Sequence, residues 1–257
     1  MAGGLIGAVA GPNLAALTRN WFAVPFAGAY VALAMVALAS MAMMQFIDFP
    51  EPPARRATGG GRPLAELARE PGFIVSAISG ALGFGVMNLL MAATPIAMQV
   101  CSLPFDDVAL VLEWHVIGIF APGFFTGHLI RRIGALPVMS VGLALNLGCI
   151  AVALSGVDLH QFVIALFLLG VGWNFLFTGS TTLSLSAYTA EEKDRAQGAL
   201  NFCVFATLAL SSFASGVLVT TQGWRLLNLG SLLPVVLTGV SLLWLARRRR
   251  AALAAAA

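Results

Sequence analysis

The chain has 257 residues, of which 59% are hydrophobic and only 10% are charged, and its formal net charge is +3. Soluble domains are usually about 25% charged, so this composition excludes an ordinary water-soluble protein and indicates the membrane class. The basic residues stand in short clusters between apolar runs, which is a signal of membrane topology rather than of nucleic-acid binding.

Apolar runs long enough to cross a membrane follow one another along the chain. Crossing the hydrocarbon core of about 30 Å takes about 20 apolar residues in a helix, and backbone groups in lipid must be paired within the segment. The unbroken runs also exclude the alternating pattern of a β-barrel. We therefore predict an all-α integral membrane protein with about eight transmembrane helices, at 1–18 (shorter), 20–47, 73–105, 108–130, 133–157, 159–190, 196–224 and 226–246.

Residues 49–72 form the only sizeable hydrophilic segment, and their Pro and Gly content predicts a linker. Within it, "PLAELARE" is compatible with a short helix on the inner membrane face. With eight helices strung alternately, Arg19 and Arg225 fall on one side and the other twelve Lys and Arg residues on the opposite side. The positive-inside rule then predicts that the basic side and both termini are cytoplasmic.

The stretch "EWHVIGIFAPGFFTGHLIRRIG" places a carboxylate and an imidazole, Glu113 and His115, inside an apolar span. Ionisable groups within spans are rare and mark pathways or relays by default. At about 100° per residue the two side chains lie about 200° apart, so we expect them on opposite faces of the helix. The alternative for each is a satisfied interhelical hydrogen bond with no further role.

The span at 159–190 has the densest polar content, with Asn174 and Thr178 on one helical stripe and Trp173 beside it. Small and hydroxylated residues at this spacing favour helix packing, whereas a Trp beside an Asn at mid-depth also suits a substrate cavity. Asn88 has the same two interpretations. The chain shows no nucleotide-binding, hydrolase or metal-ligating motif, so we predict no enzyme activity, cofactor or metal.

The stretch "GLIGAVAGPNLA" resembles the Gly-x-x-x-Gly-Pro signature in the fifth helix of major facilitator superfamily transporters, especially antiporters. The matching residues are Gly7, Gly11 and Pro12. The stretches "MNLLMAATPIAM", "EWHVIGIFAPGFFTG" and "GVGWNFLFTGSTTL" look like a bacterial branch of uncharacterised permeases within that family.

Two loops also resemble this family. "GHLIRRIGALP" is similar to the family's second-half inner loop, but Arg131 stands where the family has Asp, so that residue's charge-relay role is not carried over. "TAEEKDRAQG" resembles the inner loop before the eleventh helix. The residues that match the two loops are Gly127, Arg132 and Gly134 in the first, and Arg195 and Gly198 in the second.

The resemblance implies that the predicted spans are equivalent to helices 5–12 of a twelve-helix transporter. Residues 1–48 would be the last two helices of the amino-terminal half, residues 49–72 the cytoplasmic linker, and residues 73–257 the complete six-helix carboxy-terminal half. The first four helices would be absent, and we expect that this chain does not transport alone.

The resemblance further implies a secondary transporter in the bacterial inner membrane, coupled to protons or ions, that exports a small organic solute by alternating access. Glu113 is then the first candidate for a proton-coupling residue and His115 the second. Asn88, Trp173, Asn174 and Thr178 would line the substrate cavity. The alternative is a non-transporting membrane scaffold, or a subunit completed by complementing helices or by another copy.

Overall fold

The computed structural model describes residues 2–48 and 61–256, and both ranges are built from α-helices. The helices are α1 (Ala2–Thr18), α2 (Ala27–Met44), α3 (Leu64–Leu67), α4 (Pro71–Val100), α5 (Phe105–Phe120), α6 (Gly123–Ile133), α7 (Ala135–Ser155), α8 (Leu159–Ser184), α9 (Lys193–Thr221) and α10 (Gly223–Ala256).

Seven candidate membrane spans lie within the described residues, with α5 and α6 together forming one of them. The remaining apolar helix, α1, is shorter. The prediction of an all-α integral membrane protein with about eight helices is therefore confirmed. The span predicted at 108–130 is not one straight helix, because α5 ends at Phe120 and α6 begins at Gly123. Pro122 lies at the break, where its ring and missing N–H interrupt a regular helix.

The linker predicted at 49–72 is described only in part, since residues 49–60 lie outside the described residues. Its described end contains α3, which has four residues rather than the eight of "PLAELARE". Leu67 of α3 is fully buried in a cluster with Phe73, Ala187 and Ala196. The sequence predicts this short helix on the inner membrane face, whereas in the structure it packs against the protein through Leu67.

Helices α4 and α8 form the centre of the bundle. α8 packs against α4, α5 and α7, and α4 packs against α8, α9 and α10. Glycines allow close approach of these helices. A Cβ added at Gly142 of α7 would lie 2.7 Å from the carbonyl oxygen of Gly172 on α8. A Cβ added at Gly118 of α5 would lie 2.8 Å from the carbonyl oxygen of Phe167 on α8. Small residues at such crossings let helix backbones approach, which is how membrane helices associate.

Polar contacts at the two ends of the bundle join segments that were predicted to share a side. Arg19, between α1 and α2, forms a 3.3 Å ion pair with Asp106 at the start of α5, and its guanidinium also lies over the Phe105 ring. At the other end, Arg62 of the linker forms a 2.9 Å ion pair with Glu192, in the loop between α8 and α9. These contacts agree with the alternating order of the spans; which end is cytoplasmic stays a prediction.

Candidate functional site

His115 attaches α5 to α8. Its side chain is fully buried, and Nδ1 lies 2.7 Å from the carbonyl oxygen of Leu166. Because a carbonyl can only accept, Nδ1 carries the hydrogen and donates it. Nε2 has no hydrogen-bond partner within residues 2–48 and 61–256. One half of the imidazole is therefore used for packing, which is the alternative that the sequence left open for this residue.

Glu113 lies on the other face of α5. It is half-buried, and its carboxylate makes no hydrogen bond or ion pair with any residue that the structure describes. Phe120, seven residues further on and so on the same face, lies against Gly4 of α1. The carboxylate is thus on the side of α5 that meets α1, away from the contact between His115 and α8.

Trp173 lies in an aromatic cluster between α8 and α4. Its indole stacks on Phe177 with ring centroids 5.0 Å apart and an angle of 9° between the planes. Phe84 meets both rings edge-on, at 5.2 Å from Trp173 and 5.6 Å from Phe177. Trp173 is half-buried, and its Nε1–H finds no acceptor in the described part of the chain. The cluster therefore combines flat apolar surface with a buried donor that no described group satisfies.

Asn174 joins α8 to the break between α5 and α6. Its Nδ2 donates to the carbonyl oxygen of Ile119 at 2.9 Å. Its Oδ1 lies 2.7 Å from the Thr126 hydroxyl, whose single hydrogen is shared with the Pro122 carbonyl oxygen at the same distance. The Asn174 side chain is buried. Both ends of the amide are therefore engaged by neighbouring helices, so the packing interpretation has direct support, and a role in the cavity stays a prediction.

Asn88 joins α4 to α9 in a similar way. Its Nδ2 lies 2.9 Å from the Ser211 hydroxyl and 2.8 Å from the Ser212 hydroxyl. Thr178 is half-buried, and its carbonyl oxygen accepts from the hydroxyls of Thr181 and Thr182. The bonds of Asn88 hold the bundle together, and a cavity-lining role for either residue also stays a prediction.

A polar cavity of about 370 Å³ opens beyond Thr178, between the ends of α8 and α9. Its lining includes Thr181, Tyr188, Gln197 and Asn201. None of these was among the predicted site residues. Thr181 shares the polar stripe of Asn174 and Thr178 on α8, whereas Tyr188, Gln197 and Asn201 reach the cavity through the meeting of two helices and have no local signal in the sequence.

Three of the motif glycines have open space at their Cβ positions. A Cβ at Gly7 or Gly11 of α1, or at Gly127 of α6, would meet no atom within 4 Å among the described residues. Pro12 lies inside α1. These glycines therefore make no close approach to any described helix.

The other motif residues lie at helix ends. Arg132 is in the last turn of α6, and Gly134 connects α6 to α7 with a φ of 92°, which favours glycine. Arg195 donates from Nη1 to the carbonyl oxygen of Arg62 at 2.6 Å. Gly198 meets no described atom at its Cβ position. Arg195 thus takes part in a contact that fixes the linker.

Glu192 is the centre of that contact and was not predicted from the sequence. Its side chain is 2% exposed, and its carboxylate accepts from the backbone N–H, Nε and Nη2 of Arg62 and from the backbone N–H of Thr189. These hydrogen bonds hold the pKa of Glu192 well below its usual range, and those from the Arg62 side chain have the largest effect. The α8–α9 loop and the end of the linker are therefore joined by a charged network.

Comparison with known proteins agrees with this architecture. Residues 77–256 match the family model of the Major Facilitator Superfamily. The riboflavin transporter RfnT of Brucella anthropi is 39% identical over 235 residues, which is 89% of this chain and 58% of RfnT. YdeG of Bacillus subtilis, an uncharacterized MFS-type transporter, is 31% identical over 66% of this chain and 40% of its own. The 4-hydroxybenzoate transporter PcaK of Pseudomonas putida is 31% identical over 61% of this chain and 35% of its own.

The chain thus aligns with less than two thirds of the length of each of these relatives. The family match covers most of the described bundle, from α4 to α10, and the match to RfnT extends over nearly the whole chain. The relatives are membrane transporters, which confirms the prediction of a multi-pass membrane protein that is not an enzyme. The spans, their packing and these matches together show that the chain belongs to the major facilitator superfamily.

Proposed function

We propose that this chain forms part of a secondary transporter that moves a flat aromatic solute with polar edges, with riboflavin as the first solute to test. The observation that carries the proposal is the 39% identity to the riboflavin transporter RfnT over 89% of the chain. A second named relative, PcaK, is a 4-hydroxybenzoate transporter, and both named solutes contain an aromatic ring with polar groups.

The aromatic cluster supports the same class of solute. Trp173 and Phe177 present parallel rings, and the Trp173 Nε1–H is unused among the described residues. A flat ring can stack on such a surface. The polar cavity lined by Thr181 and Asn201 lies one to two turns further toward the predicted inner end of the bundle, where it would offer hydrogen bonds to the solute's polar groups.

Within this proposal Glu113 is the proton-coupling residue. Its carboxylate has no counter-charge among the described residues, so it can take up and release a proton without breaking an ion pair. It also lies on the face of α5 that meets α1, where the predicted carboxy-terminal half meets the predicted last helices of the amino-terminal half. His115 is the second candidate, because its Nε2 is free but its Nδ1 is committed to Leu166.

Riboflavin binding tests the solute class directly. Flavin fluorescence is measured while the purified chain, in lipid nanodiscs, is titrated into riboflavin. We expect saturable quenching whose affinity weakens about fivefold or more in Trp173→Ala, since base–aromatic stacking contributes about 1–3 kcal/mol per ring. Trp21→Ala is the matched control, because Trp21 is 63% exposed and remote in sequence from the cluster. Absence of saturable binding, or equal weakening by both variants, would contradict the proposal.

The direction we propose is efflux, on the likeness of Gly7, Gly11 and Pro12 to the antiporter motif. Everted membrane vesicles test it: an exporter driven by protons accumulates solute when the vesicle interior is acidic. Proton-dependent accumulation in right-side-out vesicles instead would show uptake and remove the efflux assignment.

A second candidate function is a membrane subunit completed by further helices. The observation that favours it is that α9 exposes large apolar side chains, including Phe202, Phe205 and Phe213. In this case the 257-residue chain alone in proteoliposomes shows no solute flux. Flux by the chain alone that depends on Glu113 would overturn this expectation, and a size measurement in detergent would reveal complementing helices or a second copy.

A further inference from the structure

A continuous apolar groove runs along α4 where α9 and α10 flank it. One part, of about 290 Å³, is lined by all three helices, and a second part, of about 540 Å³, is lined by α4 and α10. Leu82 belongs to both parts, so they adjoin. On α4 the groove extends from Ile74 to Leu89, which is about 22 Å at 1.5 Å per residue. One leaflet of the hydrocarbon core is about 15 Å deep, so the groove is long enough for an acyl chain.

The end of the groove near Ile74 leads to a cluster of positive charge. Trp244 lines the groove, and the Arg248 guanidinium lies 5.6 Å from the centre of its ring. A polar cavity of about 390 Å³ adjoins this point, lined by Arg248, Arg249 and Glu70 together with the neighbouring Leu245. Residues 247–250 are all arginine. A tryptophan followed by basic residues is typical of the membrane–water interface.

We propose that the groove and the arginine cavity together bind one anionic phospholipid. The acyl chain lies in the groove along α4, and the phosphate lies between Arg248 and Arg249. Basic pockets between transmembrane helices bind anionic head groups. Glu70, the one carboxylate among the described residues of the lining, lies 4.0 Å from Arg62 and is partly compensated there, so the described lining keeps an excess of positive charge. A lipid with no net charge would gain less from the two guanidiniums.

The probe is phosphatidylglycerol, offered in equal amount with phosphatidylcholine in nanodiscs and followed by native mass spectrometry of the released chain. We expect one retained phosphatidylglycerol per chain in preference to phosphatidylcholine. Arg248→Gln/Arg249→Gln weakens its retention by about 30-fold, since each arginine near the surface contributes about a fivefold factor. Arg247→Gln/Arg250→Gln, which removes the same charge outside the cavity lining, retains the lipid.

A second pair of variants tests the groove without changing any charge. Leu237→Trp fills the groove that Leu237 lines, and we expect it to displace the lipid. Leu243→Trp adds the same bulk on the same helix at an exposed position outside the groove lining, and we expect no loss. Equal loss in both arginine pairs, equal retention of the two lipids, no difference between the two tryptophan variants, or a stable dimer that excludes lipid would overturn the proposal.

Discussion

The Asn174 side chain provides a decisive test of how α8 is joined to α5 and α6. Asn174→Ala removes two hydrogen bonds at once, the 2.7 Å bond from Thr126 and the 2.9 Å bond to the Ile119 carbonyl. Interhelical hydrogen bonds in membrane proteins contribute about 0.6 kcal/mol on average and up to about 1.7 kcal/mol each. The two bonds together therefore predict a loss of about 1–3 kcal/mol in the free energy of unfolding.

The assay is reversible unfolding in mixed micelles, and the control is Asn201→Ala, at an exposed position on α9. A double-mutant cycle with Thr126→Val isolates one bond, and we expect a coupling energy of about 0.6–1.7 kcal/mol. If Asn174→Ala costs no more than Asn201→Ala and the coupling energy is near zero, the amide does not hold the helices together. In that case the reasoning from the two contacts is refuted, and Asn174 is free to bind solute.

Three further outcomes follow from the structure. The hydrogen bonds from Arg62 lower the pKa of Glu192 in the folded state. The stability that this ion pair contributes is therefore present above the unfolded pKa of about 4.3 and is lost as the pH falls below about 4. Glu192→Gln should flatten this acid dependence in thermal unfolding, and an unchanged acid dependence would contradict the role of the ion pair. Gly142→Ala should destabilise the bundle because its Cβ meets the α8 backbone, whereas Gly127→Ala should be neutral or stabilising by up to about 1 kcal/mol. Equal effects of the two variants in the same unfolding assay would show that close contact between α7 and α8 does not depend on Gly142. Cysteine labelling of intact cells should reach Asp158→Cys but not Glu191→Cys, and the reverse pattern would invert the predicted topology.

The helical spans follow from the sequence because lipid imposes a simple demand on length and polarity. The 26 residues of α8, for example, form one uncharged run, and the structure has a helix there. The break after Phe120 was not predicted, although Pro122 is visible in the sequence, because prolines inside spans do not always interrupt them: Pro95 lies within α4 without ending it. Which proline breaks a helix depends on its neighbours.

The candidate site was predictable only where helical geometry decides it. Glu113 and His115 were expected on opposite faces, and the structure places His115 against α8 and Glu113 half-buried on the α1 side. The partner of His115 is a backbone carbonyl, which has no sequence signal. The ion pair of Arg62 with Glu192 joins residues 130 positions apart, and neither is unusual among the other charged residues near the span ends.

The spacing of glycines within one helix does not by itself locate close packing. Gly7 and Gly11 have the recognisable four-residue spacing, yet no described helix lies against them. Gly142 and Gly172 meet each other across α7 and α8, although they lie 30 residues apart and form no local motif. The spacing describes one helix, whereas close approach is a property of two.

Solute flux driven by a proton gradient is the most direct measure of whether this chain forms part of a proton-coupled transporter for riboflavin. A chimera in which this chain replaces the aligned 58% of RfnT is reconstituted in proteoliposomes, and riboflavin flux is measured with and without a pH gradient. We expect riboflavin flux that the pH gradient accelerates in the chimera with native Glu113, and flux that no longer responds to the gradient in Glu113→Gln. If Glu113→Gln leaves the response to the gradient unchanged, or if a folded and inserted chimera shows no riboflavin flux, the proposed transport and the role of Glu113 in it are wrong.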